Sequence, residues 1–86
     1  MKQAELREKI LACLTEIAPE VDAATIQPNS DLREQIDIDS MDFLNFIIAV
    51  HEATGVDIPE VDYPKLTTID KMDGYIRDRL GGNESD

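Results

Sequence analysis

The chain has 86 residues, an apolar fraction of 42% and a formal net charge of −11, from 19 acidic and 8 basic side chains. This length allows one small domain and no second core. The charge argues against nucleic acids and anionic membranes as partners, because their phosphates would be repelled, and it favours proteins with basic patches. No apolar run reaches the roughly 20 residues of a membrane-spanning helix, so we expect no membrane insertion.

The cysteine content points to a reducing compartment. Cys13 is the single cysteine, so the chain cannot form an internal disulfide. We therefore expect a cytoplasmic protein, in which Cys13 is a buried and unreactive thiol.

The first predicted helix covers residues 3–18. Its apolar residues recur in steps of four, four and three, which places them on one face. These residues are Leu6, Ile10, Leu14 and Ile17. Pro19 ends the helix, because proline has no backbone N–H and clashes with the preceding turn.

Residues 20–39 form a long loop, with turn-forming residues at 28–31. Ser30 or Asp31 is expected to cap a single helical turn over residues 32–34. The apolar residues that can fix this loop to the domain are Val21, Ile26, Leu32, Ile36 and Ile38.

A second long helix is predicted over residues 40–54, with Asp39 as its N-cap and Gly55 at its end. It is apolar nearly all round and should be central to the domain. Its polar residues Asp42, Asn45 and Glu52, with the small Ala49 between them, share one outward face.

The last third of the chain starts irregularly and ends in a helix. Residues 62–66 are expected to form a short helix with Pro64 in its first turn. Thr67 or Thr68 then caps the last helix, and Thr67 with Asp70 approximates a capping box. The buried stripe of this helix is Ile69, Met72, Ile76 and Leu80.

The predicted fold is an all-α bundle of four helices, three long and one short, with a long loop between helices 1 and 2. We expect one domain over residues 1–82, ended by Gly81 and Gly82, and a disordered tail over residues 83–86.

Ser40 lies where the long loop meets the apolar helix, between Asp39 and Met41. A hydroxyl at a helix N-terminus lies beside unpaired backbone N–H groups and the positive end of the helix dipole. That environment favours a phosphate, including one attached covalently to the serine.

Three sequence runs extend this observation along the chain: Asp-Ser-Met-Asp at 39–42, Gly-Val-Asp-Ile-Pro at 55–59 and Lys-Leu-Thr-Thr-Ile at 65–69. With the helices around them, they resemble acyl carrier proteins from about residue 6 to residue 80. The resemblance implies that a phosphopantetheinyl transferase attaches 4′-phosphopantetheine from coenzyme A to Ser40 and recognises the neighbouring Asp39. The protein would be a non-catalytic, monomeric carrier of acyl thioesters.

The chain departs from the family pattern at several positions. Asp37 stands where glycine is common, and Phe43 stands where a small polar residue is common. Asn45 and His51 occupy positions that usually hold glutamates in carriers of fatty-acid synthesis. These departures argue against a housekeeping role in fatty-acid synthesis and favour a dedicated carrier of a particular pathway. The resemblance as a whole implies acyl intermediates of a fatty-acid, polyketide or specialised lipid pathway.

Two further sets of residues are assigned to the carrier role. The partner-binding residues, which would face basic patches on acyl-loading, synthase or acyltransferase enzymes, are Met41, Asp42, Asn45, Ile48 and Glu52. The residues predicted to line an acyl cavity are Phe46, Ile47, Val50, Tyr63 and Leu66. His51 is expected at the surface or in a partner contact.

Two alternatives stay open: an aminoacyl or peptidyl carrier, and an unmodified interaction domain of the same fold. A calcium loop beginning at Asp37 is rejected. Its sixth position would be Asp42 instead of glycine, and its twelfth would be Ile48 instead of glutamate. We expect no metal site.

Overall fold

The computed structural model describes residues 3–80, in which helices and loops alternate. The elements are α1 (Gln3–Ile17), the 3-10 helix η1 (Ala23–Thr25), α2 (Leu32–Gln35), α3 (Ser40–Thr54), the 3-10 helix η2 (Glu60–Lys65) and α4 (Ile69–Arg79). Because α1 packs against both α3 and α4, the three long helices form a bundle. The predicted all-α fold is confirmed. The predicted helix end at residues 81–82 and the tail at 83–86 lie outside the described residues.

The core is built where the three long helices meet. Leu6, Ile10 and Leu14 of α1 are buried as predicted, whereas Ile17 is half-buried. The other large side chains in this core are Leu32, Phe46, Ile47, Val50, Leu66, Ile69, Met72 and Ile76. Cys13 is buried at its edge, and burial, followed by the charge of Glu16, raises the pKa of its thiol. A raised thiol pKa leaves little thiolate at neutral pH, which agrees with an unreactive cysteine.

The long loop is fixed to the start of α4 by two backbone hydrogen bonds. The N–H of Leu32 donates to the carbonyl of Thr67, and the N–H of Asp70 donates to the carbonyl of Pro28, both at 2.9 Å. Residues 28–32 therefore lie against residues 67–70, although they are far apart in sequence.

Side chains hold the loop internally. Asp31 caps α2 by accepting from the N–H of Arg33 at 2.8 Å, as one of the two predicted caps. The amide of Gln35 donates to the carbonyl of Gln27 and accepts from its N–H, both at 2.8 Å. Of the five predicted apolar anchors, Leu32 and Ile38 are buried. The half-buried ones are Val21, Ile26 and Ile36.

The cap of α4 differs from the predicted capping box. Thr68 is the N-cap, and its hydroxyl accepts from the N–H of Lys71 at 3.0 Å. The N–H of Asp70, which a capping box would direct to the Thr67 hydroxyl, instead donates to the carbonyl of Pro28, so Thr67 and Asp70 do not form a capping box. The predicted short helix over 62–66 is the 3-10 helix η2, which begins two residues earlier and has Pro64 inside it.

A buried ion cluster joins α1 to α4. The Asp73 side chain is 2% exposed, and it accepts from Nε of Arg7 at 2.6 Å and from Arg77 one turn along α4. Arg7 also pairs with Asp70 at 3.0 Å. Because a buried carboxylate without partners is strongly destabilising, the two arginines are what permit Asp73 at this position.

Replacing a core side chain of α3 should destabilise the bundle strongly. We expect Phe46→Ala to lower the free energy of unfolding by about 3–5 kcal/mol, because it leaves a large cavity in the core. Urea unfolding followed by circular dichroism measures this. The matched control is Val61→Ala, since Val61 is 81% exposed and its truncation should change stability by less than about 0.5 kcal/mol. An equal loss of stability in the two variants would contradict the burial of Phe46 and the exposure of Val61.

Candidate functional site

The start of α3 is set by Asp39, as predicted. Its carboxylate accepts from the N–H of Asp42 at 2.9 Å, and its backbone carbonyl accepts from the N–H of Phe43 at 3.0 Å. Ser40 is therefore the first residue of a 15-residue helix. Such an N-cap satisfies one of the backbone donors that the helix leaves unpaired.

Ser40 is exposed, as are Asp39 and Met41 on either side of it. Within residues 3–80, no hydrogen bond involves the Ser40 hydroxyl. The helix N-terminus attracts a phosphate, while the carboxylates of Asp39 and Asp42 repel it. Solvent and salt screen this repulsion, because the position is exposed. An accessible and unpartnered hydroxyl in open solvent fits a large phosphate-linked group.

The predicted partner-binding residues lie along one side of α3, which we call the α3 outer face: Met41, Asp42, Asn45, Ile48 and Glu52. Met41 is 62% exposed and Ile48 is 41% exposed, although both are large and apolar. Asn45 and Glu52 are exposed, whereas Asp42 is half-buried. The face therefore combines exposed apolar side chains with carboxylates.

Two cavities flank η2. The first, which we call the inner cleft, has a volume of about 440 Å³ and is lined by Ile47, Ile48, His51, Asp57, Ile58, Pro59 and Tyr63. The second, which we call the outer groove, has a volume of about 480 Å³ and is lined by Asp31, Arg33, Glu34, Ile38, Phe43, Tyr63, Pro64 and Thr67. Both lie within the size range of small-molecule sites.

The predicted acyl-cavity residues divide between these cavities and the core. Ile47 and Tyr63 line the inner cleft. Phe46, Val50 and Leu66 are fully buried in the core and belong to neither lining. Apolar character alone does not distinguish a core position from a cavity wall. The sequence pattern therefore predicts all five residues alike as cavity lining.

His51 is a lining residue that the sequence did not assign to the cavity. It follows Ile47 by four residues and therefore lies on the same side of α3, a spacing that could have identified it. Its Nδ1 donates to the carbonyl of Val56 at 2.6 Å. The carbonyl of His51 accepts from the N–H of Gly55, which has φ of 75°. His51 is half-buried and fixes the end of α3, and its expected role at the surface or in a partner contact stays a prediction.

A polar cluster on the other side of η2 attaches it to α4. Asp62 accepts from the hydroxyl of Tyr75 at 2.6 Å and pairs with Arg79 at 3.4 Å and Lys65 at 3.2 Å. The Arg79 guanidinium also lies 4.5 Å from the centre of the Tyr75 ring. The hydrogen bond from Tyr75, then the positive charges, outweigh burial and hold the pKa of Asp62 below its ordinary value of 3.8.

Comparison with known proteins identifies the class. The family model for the phosphopantetheine attachment site matches residues 8–76. The chain is 33% identical to the acyl carrier protein of Rubrobacter xylanophilus over 73 residues, which are 81% of this chain and 90% of the relative. It is 30% identical to the acyl carrier protein of Thermosynechococcus vestitus over 80 residues, which are 93% of this chain and 98% of the relative.

The chain therefore belongs to the acyl carrier protein family, and the resemblance found in its sequence is confirmed. Membership implies a 4′-phosphopantetheine prosthetic group, which agrees with the accessible hydroxyl at the start of α3. Among residues 3–80, no group of three or more His, Cys, Asp or Glu side chains is arranged to hold a metal ion. No helix in the same range is long and apolar enough to cross a membrane.

Removing the Asp39 cap should destabilise α3. We expect Asp39→Ala to lower the free energy of unfolding by about 1 kcal/mol, because the N–H of Asp42 loses its acceptor. Asn is as good an N-cap as Asp, so Asp39→Asn should retain most of the stability. Urea unfolding of both variants measures the difference. Equal loss in both would indicate that charge, and not the cap, is what Asp39 contributes.

The low pKa of Asp62 predicts acid sensitivity. A carboxylate whose folded-state pKa is depressed stabilises the fold above the unfolded pKa of about 3.9 and loses that contribution as pH falls through the folded value. We expect Asp62→Asn to lower Tm at pH 7, and the difference from the parent to shrink below about pH 4. Thermal melts from pH 7 to pH 3 measure it.

The matched control is Glu60→Gln, because Glu60 is exposed on the same short helix. Its Tm should follow that of the parent throughout. If the difference between Asp62→Asn and the parent stayed constant as the pH fell, the Asp62 cluster would not be ionic.

Proposed function

We propose that this protein is an acyl carrier in which Ser40 holds 4′-phosphopantetheine. The observation that carries the proposal is the Ser40 hydroxyl, which is exposed, without a partner in residues 3–80, and placed at the first position of a capped helix. When bound, the prosthetic group supplies a thiol that carries acyl groups as thioesters. The role of the protein is to present this cargo to enzymes that bind it.

Asp39 has two roles in this proposal. One carboxylate oxygen accepts from Asp42 and sets the start of α3. The other has no hydrogen-bond partner in residues 3–80, so it is available to a phosphopantetheinyl transferase or to metal-bound coenzyme A. A single side chain would thus fix the helix start and mark the serine to be modified.

The proposed docking surface is the α3 outer face. Its acidic surroundings would steer basic patches of acyl-loading, synthase or acyltransferase enzymes, in encounters that are fast and sensitive to salt. Met41 and Ile48 offer apolar contact area at its centre. The face contains Asn45 where a glutamate is common, which supports enzymes of a particular pathway as partners.

The proposed carrier leaves catalysis to its partners. His51 is the single histidine of the chain, and it lies eleven residues beyond Ser40, about 16 Å along the helix. Its Nδ1 is also engaged by Val56. It is therefore not placed to act as a base for Ser40. A monomeric protein in a reducing, cytoplasmic compartment is part of the same proposal.

The aliphatic part of the inner cleft favours an acyl group over an amino acid as cargo. Ile47, Ile48 and Ile58 give the inner cleft an aliphatic surface next to Pro59. Such a surface gains stability from burying methylene groups. The carboxylates in the two linings, Asp57, Asp31 and Glu34, would be the contacts for a charged α-amino group. The aminoacyl carrier remains the alternative, and charging reactions with the holo protein distinguish the two.

Modification of Ser40 is tested by intact mass. We expect the purified apo protein, incubated with coenzyme A, magnesium and a broad-specificity phosphopantetheinyl transferase, to gain the mass of one phosphopantetheine. Ser40→Ala should gain none, and Ser30→Ala, which changes the other serine in the described range, should gain as much as the parent.

The cargo is then read from charging reactions. The holo protein should accept acyl groups from an acyl-transferring enzyme and should not be charged by adenylating enzymes for amino acids. Charging with an amino acid would support the aminoacyl carrier instead. Failure of the transferase to modify the parent, while it modifies a known carrier, would support an unmodified interaction domain.

A further inference from the structure

The outer groove lies beside Ser40. Ile38, which lines the groove, precedes Ser40 by two residues, and Phe43, which also lines it, follows by three. Residues three apart on a helix are neighbours, with Cβ atoms about 5–6 Å apart, so Phe43 lies on the side of α3 that Ser40 occupies. The short helix α2 contributes Arg33 and Glu34 to the same lining. A group attached to the Ser40 hydroxyl is therefore next to this groove and within reach of α2.

Arg33 is the only Lys or Arg in this lining and in the whole segment between residues 31 and 62. Its side chain is exposed, and its guanidinium makes no hydrogen bond or ion pair within residues 3–80. The adjacent Asp31 carboxylate is used by the backbone instead, because it accepts from the N–H of Arg33 at 2.8 Å. A free guanidinium suits a phosphate, which it can bind through two parallel hydrogen bonds. Without Arg33, the charged groups of the groove would be the carboxylates of Asp31 and Glu34 alone.

Two other side chains of the groove match the rest of a phosphopantetheine arm. Beyond its phosphate, the arm has a carbon that bears two methyl groups, followed by two amides. The half-buried Phe43 ring offers apolar area to the methyl groups. The Thr67 hydroxyl is also half-buried and has no hydrogen-bond partner in the described part of the chain. It is therefore available to an amide, as donor or as acceptor.

We propose that the outer groove is the resting site of the phosphopantetheine arm itself, with Arg33 as the counter-ion of the phosphodiester and Phe43 as the contact for the methyl groups. The phosphodiester adds a negative charge beside Asp39 and Asp42, and Arg33 offsets the resulting repulsion. This inference rests on the proposed function, because it requires the prosthetic group at Ser40. It makes α2 a part of the cofactor site.

The contact is tested by NMR on isotope-labelled apo and holo protein. The apo parent is converted with coenzyme A, magnesium and a broad-specificity transferase, and conversion is verified by intact mass. We expect the Arg33 Nε–H resonance to shift on conversion, and nuclear Overhauser effects to connect the Phe43 ring with the methyl groups of the arm. Raising the salt to 1 M, where the Debye length is about 3 Å, should reduce the Arg33 shift.

Thermal melts measure the stability that the contact adds. The difference in Tm between the holo and apo forms is determined for the parent, Arg33→Gln and Arg33→Lys. In Arg33→Gln, this difference should be lower than in the parent by about 1–5 °C, the size expected for an exposed ion pair in a domain of this length. Arg33→Lys keeps the charge and should retain most of the difference.

The matched control is Lys9→Gln. Lys9 is exposed on α1 and does not line the outer groove, so its substitution removes one positive charge without touching the proposed contact. The holo-minus-apo difference in Tm should equal that of the parent. Arg33→Gln should fold, because the bond that Arg33 gives to Asp31 comes from its backbone N–H and is kept in the variant.

The failures of the two proposals are distinguishable. If the parent gains no phosphopantetheine mass, the proposed function fails, and this inference fails with it. If the parent is modified but the Arg33 resonance does not shift, or Arg33→Gln gives the same holo-minus-apo difference in Tm as Lys9→Gln, the arm does not rest on Arg33. Only this inference is then overturned.

Discussion

The hydrogen bond from the N–H of Asp42 to the carboxylate of Asp39 fixes where α3 begins, and so it places Ser40 at the first position of the helix that supplies much of the core. Each residue of an α-helix turns by about 100°. Four residues turn a helix by about 400°, so Phe46 and Val50 lie on one side of α3, and both are buried in the core. With the helix beginning where it does, Ser40 is exposed at its first turn and the apolar residues point inward. The exposed serine and the buried core residues therefore belong to one continuous helix.

The small size of the domain explains why cavities lie beside this core. A chain of this length buries a modest share of its apolar surface, while α3 is apolar on more sides than α1 and α4 can cover. Phe46, Ile47 and Val50 are taken up by the core. The excess appears as the exposed side chains of Met41 and Ile48 and as the walls of the inner cleft. In the proposed carrier, incomplete burial of the central helix supplies both the docking contacts and the space for cargo.

The features that sequence predicted were the local ones, such as the apolar stripe of α1, the Asp39 cap and the end of α3 at Gly55. The features it missed depend on partners distant in the chain. Thr67 and Thr68 are equally good N-caps by residue type, and the N–H that Thr67 would need, that of Asp70, is taken by the carbonyl of Pro28. The burial of Asp73 depends on an arginine 66 residues away. No periodicity in the sequence contains such information.

Ion pairs of α4 and η2 engage much of the positive charge of the described residues. Arg7 and Arg77 are engaged by Asp73, whereas Lys65 and Arg79 are engaged by Asp62. Half of the 8 basic side chains are therefore directed toward carboxylates at the two junctions with α4. Between residues 31 and 62, one basic side chain, Arg33, stands among nine acids. The segment that contains Ser40 therefore keeps a strong excess of negative charge.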